Sequence, residues 1–259
     1  MSSETIPAIE MEHLTKRYGE TTAVSDLTTS IDAGTVYGFL GPNGAGKTTT
    51  MQMLTTLTRP TSGTAHVVRH SITDREAVTP HIGYLPEDPP IYDELTGREQ
   101  LEYVSDLRNL PKEQTTERIN RLLDRFGLDS DANRRIEAYS KGMRQKVGII
   151  QAVLHEPAVA FLDEPTSGLD PRAARPVRDM IAELADREMT IFLSTHILPV
   201  VDELADTVGV LHQGELVAEN DPELLKTRAE TGESRSLEEA FLEVTRETAT
   251  EQQEQTTET

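Results

Sequence analysis

Eight residues, Gly41–Thr48 (GPNGAGKT), constrain this chain more than any other stretch. They fit the spacing G-x-x-x-x-G-K-[ST], with Gly41, Gly46, Lys47 and Thr48 in the fixed places. Glycines at 41, 44 and 46 let backbone N–H groups turn inward around an anion with no Cβ in the way. Pro42, Asn43 and Ala45 complete the loop, and Thr49 follows it. Lys47 supplies a mobile cation for outer phosphates, and the Thr48 hydroxyl is a ligand for Mg²⁺. The flanks agree. Val36–Leu40 is a short apolar run, and the pattern predicts a helix over Lys47–Leu57 whose N-terminus faces the phosphates.

Such a loop needs a sheet around it, and at 259 residues the chain can bury one α/β core with an insert. Cysteine is absent, which excludes disulfides and thiolate metal sites. Met1–Pro7 has neither a basic nor an apolar leader region, so no secretory signal is expected. No apolar run approaches the ~18 residues of a membrane span. The formal charge is −20, from 45 acidic and 25 basic residues, and 6 of those 25 are Lys against 19 Arg. That surface repels nucleic acid, so no nucleic-acid partner is expected. Acid-rich, Lys-poor composition also suits a protein from a salt-loving source, because salt screens its self-repulsion.

Along the chain, Ile9–Tyr18 and Ala23–Ile31 read as an antiparallel strand pair. Arg59–Gly63 is a turn before a strand at Thr64–Val68, and Ile82–Leu85 is a strand stopped by Pro86. From Thr96 to Phe126 helical spacing takes over, broken at Asn109-Leu110-Pro111, so residues 89–148 read as a helical insert. Val159–Leu162 and Ile191–Ser194 are continuous apolar runs, as in strands buried on both faces of a parallel sheet, with a helix from Pro171 to Arg187 between them. Thr207–Leu211 and Glu215–Ala218 form a strand pair. Residues 228–259 hold nine Glu against three Arg; a short amphipathic helix is expected at Ser236–Thr245 and disorder after it.

Three further stretches carry chemistry. Ala158–Glu164 (AVAFLDE) delivers two carboxylates at the C-terminal end of a strand, where ligands sit in open α/β sheets. Asp163 is placed to hold Mg²⁺ and Glu164 to accept a proton from attacking water. His196 stands at the end of another strand, able to donate to a γ-phosphate or to that water. Tyr139–Met143 (YSKGM) opens a helix from about Met143 to Leu154, with Ser140 as N-cap. Lys141 in that first turn opposes the macrodipole by about 0.3–1 kcal/mol, and Met143 cannot close a capping box. An external phosphate facing Ser140 and Gly142 would offset both choices.

These stretches, in this order, resemble the ATP-binding subunit of an ABC transporter over about residues 8–220. GPNGAGKTT (Gly41–Thr49) is similar to Walker A, VAFLDEP (Val159–Pro165) to Walker B, and YSKGMRQKV (Tyr139–Val147) to the signature motif. SGLD (Ser167–Asp170) resembles the D-loop, STH (Ser194–His196) the switch histidine, and YLPE (Tyr84–Glu87) the Q-loop. Within the family, SKGMRQ, YLPEDPPIYDELTGRE and SLEEAFLEVT look most like subunits of ABC-2 type exporters.

The resemblance implies an α/β fold: a P-loop NTPase core with an antiparallel β subdomain and an inserted α-helical subdomain. The cassette then occupies residues 1–227 and the acidic extension 228–259. It implies two protomers, identical or similar, closing over two MgATP, each nucleotide held by residues 41–49 of one chain and capped by Ser140 and Gly142 of the other. Tyr18 then stacks on adenine, Asp170 acts across the interface, and Glu164 and His196 are catalytic. Thr48, Asp163 and Glu87 hold the metal, Glu87 with a carboxylate where the family commonly has an amide. A separate integral membrane permease, docked near Pro86–Tyr92, would place the subunit on the cytoplasmic face of the membrane, for export. The rival expectation is a soluble ABC-type ATPase acting on ribosomes or DNA; it favours tandem cassettes and a basic contact surface, neither of which this sequence has.

Overall fold

The computed structural model describes residues 7–187, 189–226, 238–239 and 241–242. Two sheets organise the molecule. An antiparallel sheet has the order β2-β1-β4-β5, from β1 (Pro7–Tyr18), β2 (Thr21–Asp32), β4 (Ser62–Val67) and β5 (His70–Ser71). The central sheet has the order β10-β9-β3-β8-β7-β6, from β3 (Val36–Leu40), β6 (Ile82–Leu85), β7 (Val159–Asp163), β8 (Thr190–Thr195), β9 (Thr207–His212) and β10 (Glu215–Asn220). Strands β9, β3, β8, β7 and β6 run parallel, and only β10 is antiparallel to its neighbour.

The period-two alternation of the central strands explains why they read as unbroken apolar runs. Tyr37, Phe39, Val159, Phe161 and Phe192 point to one face and join the core beneath the antiparallel sheet and α1 (Lys47–Leu54). Val36, Ala160, Leu162, Ile191 and Leu193 point to the other and meet helices. With both faces covered, each residue of β3, β7 and β8 is buried. The helical layer comprises α5 (Lys141–Val153), α6 (Pro171–Ala185) and α7 (Leu198–Leu204), and shares its apolar cluster with α3 (Gly97–Leu107) and α4 (Lys112–Arg125) of the expected insert. Helix α3 begins with a full capping box, Thr96 and Glu99 each bonding the other's backbone N–H.

Two helix boundaries and two short elements depart from the sequence expectation. Helix α1 stops at Leu54 rather than Leu57: Thr55 turns its hydroxyl onto the Met51 carbonyl and Thr56 takes φ 63°. Helix α5 starts at Lys141, two residues earlier than expected. Two short elements, α2 (Arg75–Val78) and α8 (Pro222–Lys226), give no clear apolar period and were not expected. In the acidic extension, residues 238, 239, 241 and 242 are helical and Phe241 packs near Val201, Val208 and Val210. The rest of the expected helix at 236–245, and the segment after it, lie outside the described residues.

Candidate functional site

The site lies where β3, β7 and β8 end together. Because β8 lies between β3 and β7, the phosphate loop and the paired carboxylates come from strands one apart, and the side chains that span the gap belong to α1 and to the end of β8. The loop's shape follows from Gly46. It sits at φ 109° as N-cap of α1, and a Cβ there would run into the carbonyl oxygen of Ala23. Helix α1 then begins with no side-chain cap and no acidic residue in its first turn. Its first N–H groups are left to whatever occupies the cleft.

Lys47 is 6% exposed and folds back over the loop. Its Nζ donates to the carbonyls of Gly41 at 2.7 Å and Pro42 at 3.2 Å, and stands 3.4 Å from Glu164 Oε1. Glu164, 6% exposed, takes φ 48° directly after β7, a left-handed conformation that a glutamate rarely adopts. The turn is fixed by its N–H donating to the Ser194 carbonyl at 2.9 Å. It aims the carboxylate at the end of β8, where Thr195 Oγ1 donates to Oε2 at 3.1 Å and His196 Nδ1 to Oε1 at 2.9 Å. One carboxylate is thus gripped by the loop lysine, a threonine and a histidine.

Asp163 lies below, almost fully buried, and its Oδ1 has no hydrogen-bond partner. Burial raises its pKa above the ordinary aspartate value; the Thr48 and Ser194 hydroxyls pull it back, Glu164 adds to the rise and Lys47 opposes it. Burial and the Asp163 charge also push the Tyr84 phenol up to about 12. An orphaned carboxylate oxygen beside a threonine hydroxyl suits a hard divalent cation that takes its remaining ligands from water and phosphate. Among the described residues no group of three or more His, Cys, Asp or Glu forms an all-protein metal cage. That is the donor set Mg²⁺ uses with nucleotides, and Thr48 and Asp163 fit it.

Around these groups is an open cleft of about 360 Å³. Asn43, Gly44, Gly46, Lys47, Thr48, Thr49, Glu87, Glu164 and His196 line it, so most of the residues singled out in the sequence come together. Ala45 is buried behind the loop, its carbonyl taken by the Gly214 N–H at 2.9 Å. Glu87 is at the rim, where Ser167 Oγ donates to its Oε1 at 3.4 Å. Tyr18 is 50% exposed, with the Lys16 ammonium 4.9 Å from its ring centre, and is not part of the cleft wall.

Ser140, Gly142 and Asp170 do not line the cleft. Ser140 caps α5, accepting the Met143 N–H at 3.2 Å. Asp170 caps α6 through the Arg172 and Ala173 N–H groups at 2.9 and 3.1 Å. The Lys141 ammonium lies against Gly168, in the space a side chain there would fill. Lys141 is itself exposed, beside the Ser167–Asp170 loop. Sequence reasoning gave no individual role to Thr195, Ser167 or Ala23. Position beside His196 was the available signal for Thr195; Ala23 had none, since its place in the cleft depends on how β2 crosses the loop.

The profile of the family described as ABC transporter matches residues 24–167. The daunorubicin/doxorubicin resistance ATP-binding protein DrrA of Streptomyces peucetius is 40% identical over 88% of this chain and 69% of its own length. The bacitracin transport ATP-binding protein BcrA of Enterococcus faecalis is 39% identical over 82% of this chain and 68% of its own. A solved ATP-binding subunit of an ABC transporter superposes with TM-score 0.82 at 31% identity, covering 92% of this chain and 99% of that one. The cbiO1 subunit of Clostridium perfringens, part of the ABC transporter complex cbiONQ, gives TM-score 0.76 at 25% identity, covering 85% and 90%.

Proposed function

The chain belongs to the ABC transporter family as an ATP-binding, ATP-hydrolysing subunit, and from that premise we propose how its own residues carry out the work. The observation that carries the reading is Glu164, buried at the end of β7, 3.4 Å from Lys47 and 2.9 Å from His196. Incoming phosphate competes for Lys47, which exchanges its carbonyl partners for phosphate oxygens and loosens its hold on Glu164. The carboxylate then takes a proton from the attacking water, and His196, donating through Nδ1, keeps Glu164 aimed. Thr195 fixes the second oxygen. The N-terminus of α1 and the 41–49 loop bind the phosphates, and Tyr18 serves adenine at the outer edge. Asp163 and Thr48, with Glu87 at the rim, would hold Mg²⁺, which when bound neutralises charge on the transferred phosphoryl group.

Ser140 is exposed, and neither it nor the half-buried Gly142 lines the cleft of its own chain, which supports their meeting a nucleotide held by a second copy. Asp170 would act at the same junction. No helix among the described residues is long and apolar enough to cross a membrane. In this reading the movement of a solute falls to a separate permease, met near Pro86–Tyr92 on the cytoplasmic side. The named relatives, one in drug resistance and one in bacitracin transport, support export. Acidic composition supports a saline source.

Glu164→Gln is the direct test. Loss of a general base typically slows turnover ~10²–10⁴-fold while sparing binding. Phosphate release should fall by that factor with ATP still bound and the chain shifted to a dimer in gel filtration. Turnover near the original rate would assign the base to another group.

A further inference from the structure

At the other end of the central strands, a strand length from the nucleotide cleft, a second cavity of about 290 Å³ opens between the insert and the core. Helix α4 contributes Arg118, Arg121 and Leu122, the end of α5 contributes Val153, and the turn into β7 contributes Glu156. Leu184, Arg187 and Met189, from the end of α6 and the approach to β8, close it. Its floor is aliphatic and its rim is basic: three guanidiniums against one carboxylate, in a chain whose net charge is −20. Among the described residues this local reversal of sign is only partly neutralised. Glu156 sits 2.8 Å from Arg118 and 3.7 Å from Arg121, but Arg187 has no ion pair among the described residues. The Arg118 Nε is buried without a hydrogen-bond partner. Arg108 and Arg118 both bear on neighbouring His155, which burial and those charges hold neutral, down to about 4.

A cavity near the lower size limit of small-molecule sites, apolar below and cationic above, matches one kind of occupant. A free inorganic anion would leave the aliphatic floor wet, and a neutral hydrocarbon would leave the guanidiniums unanswered. We propose that this cavity binds a soluble amphiphilic anion, a single apolar chain or ring bearing one carboxylate, with its head on Arg121 and Arg187 and its tail on Leu122, Val153, Leu184 and Met189. Strand β7 puts roughly 17 Å between this cavity and the carboxylates of the nucleotide cleft, so the two sites fill independently.

The test uses the full chain and its methionine methyl groups; among the described methionines only Met189 lines this cavity. With ¹³C-methyl methionine, octanoate below its micellar concentration should shift the Met189 resonance, assigned through Met189→Leu, in a saturable way. Butyrate, which has the head without the tail, and 1-octanol, which has the tail without the head, should each bind about tenfold more weakly or less well still. Arg121→Gln combined with Arg187→Gln, two exposed side chains outside the nucleotide site, should weaken octanoate by a similar factor and leave ATP affinity unchanged. Equal shifts from octanol and octanoate, or no Met189 shift at all, overturn the proposal. So does a shift produced only by phosphatidylglycerol vesicles, or only by a peptide of residues 243–259, since each would name a different occupant.

Discussion

Lys47→Met should reveal how much of the fold's stability depends on one ammonium in the nucleotide site. Lys47 is buried, and so are the two carboxylates it serves: Glu164 at 3.4 Å and Asp163, whose raised pKa it helps to hold down. At an effective dielectric near 20 a charge pair at that distance is worth about 5 kcal/mol before desolvation. Removing only the cation leaves both carboxylates buried and mutually repelling, and breaking a buried pair in this way costs about 3–5 kcal/mol. For a chain of this size each kcal/mol lowers Tm by about 2–4 °C, so a fall of roughly 10 °C is expected without nucleotide. Glu164→Gln should cost far less, about 1 kcal/mol, because Lys47 keeps the Gly41 and Pro42 carbonyls and the amide still accepts from Thr195. The double variant should then recover stability relative to Lys47→Met, giving a coupling of about 1–3 kcal/mol in a urea-unfolding cycle. Additivity within about 0.5 kcal/mol, or a Lys47→Met cost below about 1 kcal/mol, would refute the idea that this pair organises the empty site.

Other expectations are simpler. Asp163 has a raised pKa in the fold, so its contribution is greatest below its unfolded pKa and is lost as pH rises through the folded value. Asp163→Asn should therefore raise the neutral-pH Tm of the nucleotide-free chain while abolishing Mg²⁺-dependent hydrolysis; a lower Tm would contradict the sign. Ser140→Ala removes the α5 cap and should cost about 1 kcal/mol in denaturant unfolding, but should lower ATP-dependent association far more. Matched losses in the two assays would leave Ser140 with a capping role only. Screening the −20 charge should raise Tm between low and molar KCl, and a flat or falling curve removes the case for a saline source.

What could be read in the sequence was whatever a local pattern dictates. The phosphate loop, the apolar runs of β3, β7 and β8, and the Ser140 cap each depend on a few adjacent residues. The site itself is not local. That Glu164 reaches Lys47 depends on β8 standing between β3 and β7, an order no single strand encodes, and on a left-handed turn at a glutamate that propensity argues against. The same reasoning applies to where the Lys141 side chain lies. From its own helix it is a cation at the wrong end of a dipole. Only the packing of α5 beside the Ser167–Asp170 loop shows that the open flank of Gly168 gives the ammonium somewhere to lie. Gly168 is therefore constrained twice, by φ 64° and by Lys141, and a side chain there would push that ammonium away. Residues 141 and 168 thus meet at one junction, between the start of α5 and the loop after Glu164.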